Sequence, residues 1–222
     1  MPTPFIRPYD SSRDFEAGLN VFYTTIDPGV STEPSRTIGS HIWYRPYVIL
    51  SPESCFMLDS GTGHAVGYII GAPSTTTFAS LWKEKYLPSL DQSIIPPPEI
   101  QSGDPAMETE TVKGLRKEVW SAGCSMLQSV PAELEKYPAH LHIDILPEFQ
   151  GQGWGKLMVE RFLGYLGEQG VRGVHLGMVR TNEGARRFYE RFNFSLCDQV
   201  LDNGESQEKG RNGGAICLVK IL

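Results

Sequence analysis

A chain of 222 residues with 40% hydrophobic and 21% charged content is long enough for one well-buried core and reads as an ordinary globular protein, one domain by default. The net charge of -6 and the absence of any basic run exclude a broad nucleic-acid surface and fit, weakly, a cationic or amine partner. Cys55, Cys124, Cys197 and Cys217 show neither C-x-x-C pairing nor metal-ligand spacing, the start MPTPFIRPYDSSRDF has no apolar signal segment, and no apolar run nears the roughly 18 residues of a membrane span. The expectation is therefore a free-thiol protein without metal or membrane partner, cytoplasmic with the nucleus left open.

Phe5 to Tyr9 reads as a short strand, and Ser11 or Ser12 is placed to cap a helix from Arg13 to about Tyr23 with Phe15, Leu19 and Phe22 on one side. Asp27 to Ser40, rich in Pro, Gly, Ser and Thr, predicts a loop able to close over a ligand. The aromatic segment HIWYRPYVIL either lines a pocket or packs, and packing is the commoner outcome. Cys55 to Leu58 and His64 to Ile70 flank the turn residues Asp59 to Gly63 as a β-hairpin, completing a strand, helix, strand, strand opening.

From Ala72 to Tyr137 the pattern predicts a helix at Phe78 to Leu87, a stiff connector at Pro96 to Pro98, and one or two helices within Glu108 to Val130. Leu115, Val119, Trp120 and Leu127 are its buried candidates. The stretch forms either one wall of a binding site or an elaborated surface with no chemical role.

His140 to Arg161, HLHIDILPEFQGQGWGKLMVER, reads as strand, glycine loop, helix. Alternation puts Leu141, Ile143 and Ile145 on one face and His140, His142 and Asp144 on the other, a polar face expected to look into a cleft. Pro147 ends the strand, and Gly151, Gly153 and Gly155 lead into a helix carrying Val159, Phe162, Leu163 and Leu166. Glycines let backbone approach a ligand, and the unpaired N–H groups of a first helical turn favour an anion such as a pyrophosphate. A P-loop would need glycine at Gln150 and Ser or Thr at Leu157, and G-x-G-x-x-G would need glycine at Lys156, so neither motif is present.

Gly173 to Val179 is a further strand, and the strand, helix, strand order favours a parallel pair with a right-handed crossover. In the last helix, Asn182 to Phe192, the residues Ala185, Phe188, Tyr189 and Phe192 fall at i, i+3, i+4 and i+7. Phe194 to Val200 and Ala215 to Ile221 are closing strands joined by a polar loop, Asp202 to Gly214, expected to be mobile.

The pattern Q-x-x-G-x-G at Gln150, Gly153 and Gly155, directly after a strand, resembles the pyrophosphate loop of the GNAT superfamily of N-acetyltransferases, which use acetyl-CoA. Downstream, TNEGARRFYERFNF is similar to that family's N-x-x-A-x-x-F-Y segment followed by a final strand. YPAHLHIDILPEFQGQGWG with GVHLGMVRTN resembles most closely the subgroup that includes the acetyltransferase-like domain of O-GlcNAc hydrolases. The resemblance implies an α/β (α+β) fold: a mixed, mostly antiparallel twisted sheet with a splayed parallel central pair and flanking helices. It also implies a single acetyltransferase-like domain over 1–222 with a helical insert at about 72–137.

Acetyl-CoA is then the implied cofactor and CoA the product. Gln150, Gly151, Gln152, Gly153, Trp154, Gly155 and Lys156 would meet the diphosphate, the backbone of Ile143 and Ile145 the pantetheine, with Asn182 and Tyr189 beside it. Acyl transfer from a thioester needs an unprotonated amine, stabilisation of the oxyanion, and a proton for the departing thiolate. Tyr189 resembles the family's general acid, a phenol of pKa about 10 facing a thiolate whose conjugate acid is near about 8.5; on its residue pattern alone it is a packed aromatic. Asn182, two helical turns before it, either bonds the pantetheine or caps its helix.

The base is open. Many relatives carry a glutamate five residues before the Asn, where this chain has Gly177, so that role is not carried over. Either His142 or Asp144 accepts a proton, directly or through water; or Asp144 binds the substrate ammonium and water takes the proton; or the two are a structural pair. Asn193 replaces the family's usual glycine and tolerates positive φ. The reading is an N-acetyltransferase acting on a primary amine of a small molecule or peptide by direct attack. Its rivals are an acetyl-CoA-binding interaction module without turnover and a lysine acetyltransferase with an open acidic groove, with the oligomeric state left open.

Overall fold

The computed structural model describes residues 2–200 and 214–222. The strands are β1 (Phe5–Pro8), β2 (Phe56–Asp59), β3 (Ala65–Ala72), β4 (Ala139–Ile145), β5 (Gly173–Val179), β6 (Ser195–Leu196) and β7 (Ala215–Ile221). They form one sheet in the order β1-β2-β3-β4-β5-β7-β6, with β4 and β5 parallel and every other pair antiparallel. This is the mixed sheet that the sequence resemblance implies. The expected loop from Asp202 lies, up to residue 213, outside the described residues.

Helices cover both faces. On one side lie α1 (Phe15–Thr25), α2 (Ser35–Trp43), α3 (Arg45–Leu50), α4 (Thr75–Leu81) and α5 (Glu110–Ser121), whose Phe22, Ile42, Tyr47, Phe78 and Val119 share one core with Tyr68 and Ile70 of β3. The short α6 (Pro131–Lys136) leads into β4. On the other side lie α7 (Trp154–Glu168) and α8 (Glu183–Glu190), where Met158, Phe162, Leu166 and Tyr189 pack on Leu141, Ile145, Val174 and Leu176. Burying side chains of this size contributes roughly 1.5–3 kcal/mol each before the entropic cost.

Three expectations are corrected. Residues 35–40, read as the end of a loop, form α2 together with 41–43: Ile38 and Ile42, one turn apart, bury fully, and that burial outweighs the poor helix propensity of the Gly and Ser residues between. Neither Ser11 nor Ser12 caps α1. Asp14 holds the N-cap position and spends its carboxylate on Arg7 at 2.5 and 2.8 Å, while Ser12 bonds Asp10. The closing strand after Phe194 is only Ser195–Leu196 before a 3-10 turn.

The stretch 72–137 is not a surface elaboration. Phe78, Trp82, Leu115 and Val119 are part of the first core, with Trp120 partly buried against it, and Arg116 is fully buried. Its guanidinium donates to the carbonyls of Pro96 at 2.9 Å, Pro97 and Ile100 at 2.6 Å each, and Met107 at 3.2 Å, satisfying the irregular connector from within. Among the described residues no helix is long and apolar enough to cross a membrane.

Candidate active site

The sheet divides in its middle. β4 and β5 pair only at their starts, Ala139 with Val174 and His140 with His175, although each strand stays paired with its outer neighbour as far as Ile145 and Val179. The Leu146 N–H bonds the Val66 carbonyl at 2.9 Å, which fixes the alternation along β4. Even-numbered residues therefore turn their backbone groups to β3, and Ile143 and Ile145 turn theirs to the split. The Ile145 carbonyl is taken by Gln150 Nε2 at 2.6 Å, leaving its N–H and both groups of Ile143 for a guest.

The glycine loop follows at the end of β4. Gly151 and Gly153 have φ of 71° and 88°, and Gly153 is the N-cap of α7. Among the described residues no protein acceptor takes the backbone N–H of any residue from Gly151 to Lys156. Six successive donors at the positive end of a 15-residue helix are the kind of arrangement that suits an anion. Side chains of the loop play a different part from its backbone: Gln152 Nε2 closes on the Glu148 carbonyl at 2.7 Å, and exposed Lys156 pairs with Glu160 at 3.4 Å. Trp154 packs on the second core. Gly155 serves packing, because a Cβ there would stand 3.3 Å from the Phe188 ring of α8.

Across the split, α8 presents Tyr189, whose side chain is 7% exposed. Its hydroxyl makes no hydrogen bond to a described residue, and it is not among the atoms sealed from solvent without a partner. Burial, and secondarily the charge of Asp144, push its pKa up, so it stays a phenol at neutral pH. Asn182 caps α8, its Oδ1 accepting from the Ala185 N–H at 3.0 Å, which realises the capping reading of that residue. Asn193 takes the positive φ of 60° that its place after α8 asked for.

The polar face of β4 does not look into an open cleft. Helices α1 to α5 cover it, so His140 is buried and His142 and Asp144 are half-buried. Tyr68 donates to Asp144 Oδ2 at 2.5 Å. Burial raises the Asp144 carboxyl to about 6, with the hydrogen bond from Tyr68 pulling the other way. Tyr47 bonds both His140 Nε2 at 2.8 Å and His142 Nε2 at 3.1 Å. Burial lowers His142 to about 4, and the nearby His175 acts in the same direction, so the ring is neutral at pH 7. Asp144 and His142 thus have separate partners and form no mutual pair.

The segment between α5 and β4 reaches the start of β5. Ser125 bonds His175 Nε2, and the His175 Nδ1 meets the Tyr137 carbonyl at 2.7 Å. The space beside Gly177 is taken by Met126, whose Sδ lies 3.0 Å from where a Cβ would stand. Tyr47, Tyr68 and Met126 are neighbours of the candidate residues that the sequence did not single out. The aromatic run containing Tyr47 was the one signal available, and it had no partner to be read against.

A mixed sheet split at one parallel pair, with a glycine loop heading the next helix, is the architecture of GNAT-type acyltransferases. The comparisons agree. The Acetyltransferase (GNAT) family model matches residues 121–194, from the end of α5 through β4, the glycine loop and α8. The [ribosomal protein bS18]-alanine N-acetyltransferase of Haemophilus influenzae is 33% identical over 81 residues, 36% of this chain and 54% of that relative, so the match spans about half the relative's length. The crystal structure of SsHAT superposes with a TM-score of 0.79 at 32% identity, covering 99% of this chain and 98% of that one. Ard1 from Thermoplasma volcanium shares the fold at a TM-score of 0.54 and 17% identity, covering 99% and 98% of the two chains. The chain belongs to the GNAT acetyltransferase family.

Proposed function

We propose that this chain is an acetyl-CoA-dependent N-acetyltransferase that moves an acetyl group to a primary amine by direct attack. The observation that carries the reading is the row of unpaired N–H groups from Gly151 to Lys156, set at the end of a strand whose backbone groups open onto the split beside Tyr189. The residues fit the cofactor: six donors and a helix N-terminus suit a diphosphate, and the Ile143 and Ile145 edge suits an amide-bearing arm. A thioester supplies an acetyl group activated for attack by nitrogen.

The chain's own residues supply the rest. Asp144, ionised above about pH 6, anchors the substrate amine, whose ammonium proton passes to water before attack. The free N–H groups of β4 donate to the acetyl oxygen, where negative charge develops. Tyr189, kept protonated, gives the proton that the departing sulfur needs. Asn182 is fixed as a cap at the mouth of the split. The domain is read as a single unit over 1–222 in which the segment 72–137 walls the acceptor side. The wording of β4, the loop and β5 supports placing it with the acetyltransferase-like domains of O-GlcNAc hydrolases.

Amine-dependent release of CoA from acetyl-CoA tests this directly. A panel of small amines, amino sugars and lysine or N-terminal peptides should contain acceptors that raise CoA release well above hydrolysis. Acetyl-CoA binding without such an acceptor would leave the binding-module reading in its place. The cover that helices α1 to α5 place over the polar face of β4 supports a small-amine acceptor over the open acidic groove of a lysine-tail enzyme.

A further inference from the structure

Three histidines, His140, His142 and His175, stand at the start of the parallel pair, and the structure distinguishes them by what each ring nitrogen touches. His175 has both nitrogens engaged: Nδ1 lies 2.7 Å from the Tyr137 carbonyl, which can only accept, and Nε2 meets the Ser125 hydroxyl. His140 also has both engaged, Nδ1 with Thr75 Oγ1 at 2.7 Å and Nε2 with the Tyr47 hydroxyl at 2.8 Å. His142 has a bond from Nε2 to Tyr47 at 3.1 Å, whereas its Nδ1 bonds no described residue and is not sealed from solvent.

The direction of every bond in that chain is set at one end. Thr75 Oγ1 lies 2.8 Å from the Pro138 carbonyl, and two oxygens approach so closely only when the hydroxyl donates. Thr75 must then accept from His140 Nδ1–H. A neutral imidazole has one proton, so His140 Nε2 accepts from Tyr47. The Tyr47 hydroxyl has spent its proton and can only accept from His142 Nε2–H. The longer approach of the Tyr47 hydroxyl to the Cys124 carbonyl, 3.4 Å, does not compete with the 2.8 Å bond to His140. Full burial of Tyr47 raises its pKa far above 10, so it remains the phenol this chain requires.

We propose that Tyr47 is a positioning residue that, fixed by His140 and Thr75, holds His142 as its Nε2–H tautomer and so presents a bare Nδ1 as hydrogen-bond acceptor to the amine substrate. This rests on the acetyltransferase reading of the site. Asp144 and His142 lie two residues apart on one face of β4 and give two acceptors for two N–H bonds of one nitrogen. A primary amine satisfies both while keeping its lone pair for attack, whereas an N-methylated amine leaves one acceptor unmet. The device selects substrate by N–H count.

Long-range 1H–15N correlation of the 15N-histidine-labelled full chain at pH 7, without cofactor, reads the tautomers directly. His142 should show a protonated Nε2 and a bare Nδ1. Tyr47→Phe, which keeps the ring, should convert His142 to a mixture, and Thr75→Val should do the same from the far end if Tyr47→Phe fails to fold. A wild-type His142 carrying its proton on Nδ1, or tautomers unmoved by these changes, overturns the proposal. With an accepted amine in hand, Tyr47→Phe should cut the preference for a primary amine over its N-methyl analogue about 10-fold, with the KM for acetyl-CoA unchanged. A preference that stays intact in Tyr47→Phe also overturns it. Failure to find any acceptor amine would sink the acetyltransferase reading but leave the tautomer result to be decided by the first measurement.

Discussion

Met126 fills the space beside Gly177: a Cβ at residue 177 would stand 3.0 Å from its Sδ. The close neighbour of that position is a thioether from the segment before β4. Gly177 is exposed and Met126 is flexible, so Gly177→Glu should be destabilised only modestly, about 1 kcal/mol. The double variant with Met126→Ala should recover most of that loss. Urea denaturation of the four proteins of this cycle measures the coupling, and strictly additive losses would show that Met126 does not occupy the position.

The hydroxyl of Tyr189 has no hydrogen bond among the described residues to lose. Tyr189→Phe should leave the melting temperature and the acetyl-CoA affinity within error while lowering kcat about 100-fold or more, the scale of a lost general acid. Binding and turnover falling together would remove Tyr189 from that role.

Asp144 titrates at about 6, and its role requires the ionised form. Activity should be present above that pH and lost below it. Tyr68→Phe removes a bond that stabilises the carboxylate, so the acid limb of kcat/KM should move to higher pH, and Asp144→Asn should abolish the limb with the activity. An acid limb unmoved by Tyr68→Phe would assign it to another group.

Two glycines two residues apart should respond differently. Gly153→Ala meets open space but holds φ at 88°, costing roughly 1–2 kcal/mol and distorting the donor row, so acetyl-CoA should no longer raise the melting temperature. Gly155→Ala puts a methyl 3.3 Å from Phe188 and should lower stability modestly while retaining the cofactor-induced shift. The reverse pattern would place the anion seat elsewhere.

Burial holds His41, His142 and His175 at about 4 and His140 well below its ordinary value of 6.5. These four groups bind protons in the unfolded chain first, so each removes stability as pH falls from 6.5 toward 4. Asp144, raised to about 6, acts in the opposite sense between 6 and its ordinary 3.8. Four rings gain protons on unfolding where one carboxyl releases one, so net stability falls as pH drops from 6.5 toward 5. Urea unfolding at pH 7, 6 and 5 should show this decline, and a flat profile would mean the rings are charged in the native state.

The sequence by itself determined the central unit, β4 through α8. Strand alternation, the loop glycines and the Ala185-Phe188-Tyr189 stripe are local patterns, and each is written within a few residues of the backbone it shapes. The unpaired N–H row is of this kind, because a helix start after Gly153 leaves donors open whatever packs elsewhere. The tertiary structure decided what covers each face. His142 and Asp144 were legible as sharing a side of β4, but only closure over 76 to 95 residues brought Tyr68 and Tyr47 onto them and turned an expected cleft lining into a buried network. The same holds for α2, whose weak propensity is overruled by burial of Ile38 and Ile42, for Gly155, whose constraint is a ring on another helix, and for Met126, the close neighbour of Gly177. Periodicity states which residues of one element face together; it carries no information about the element that meets them, because that choice is made by the packing of the whole core.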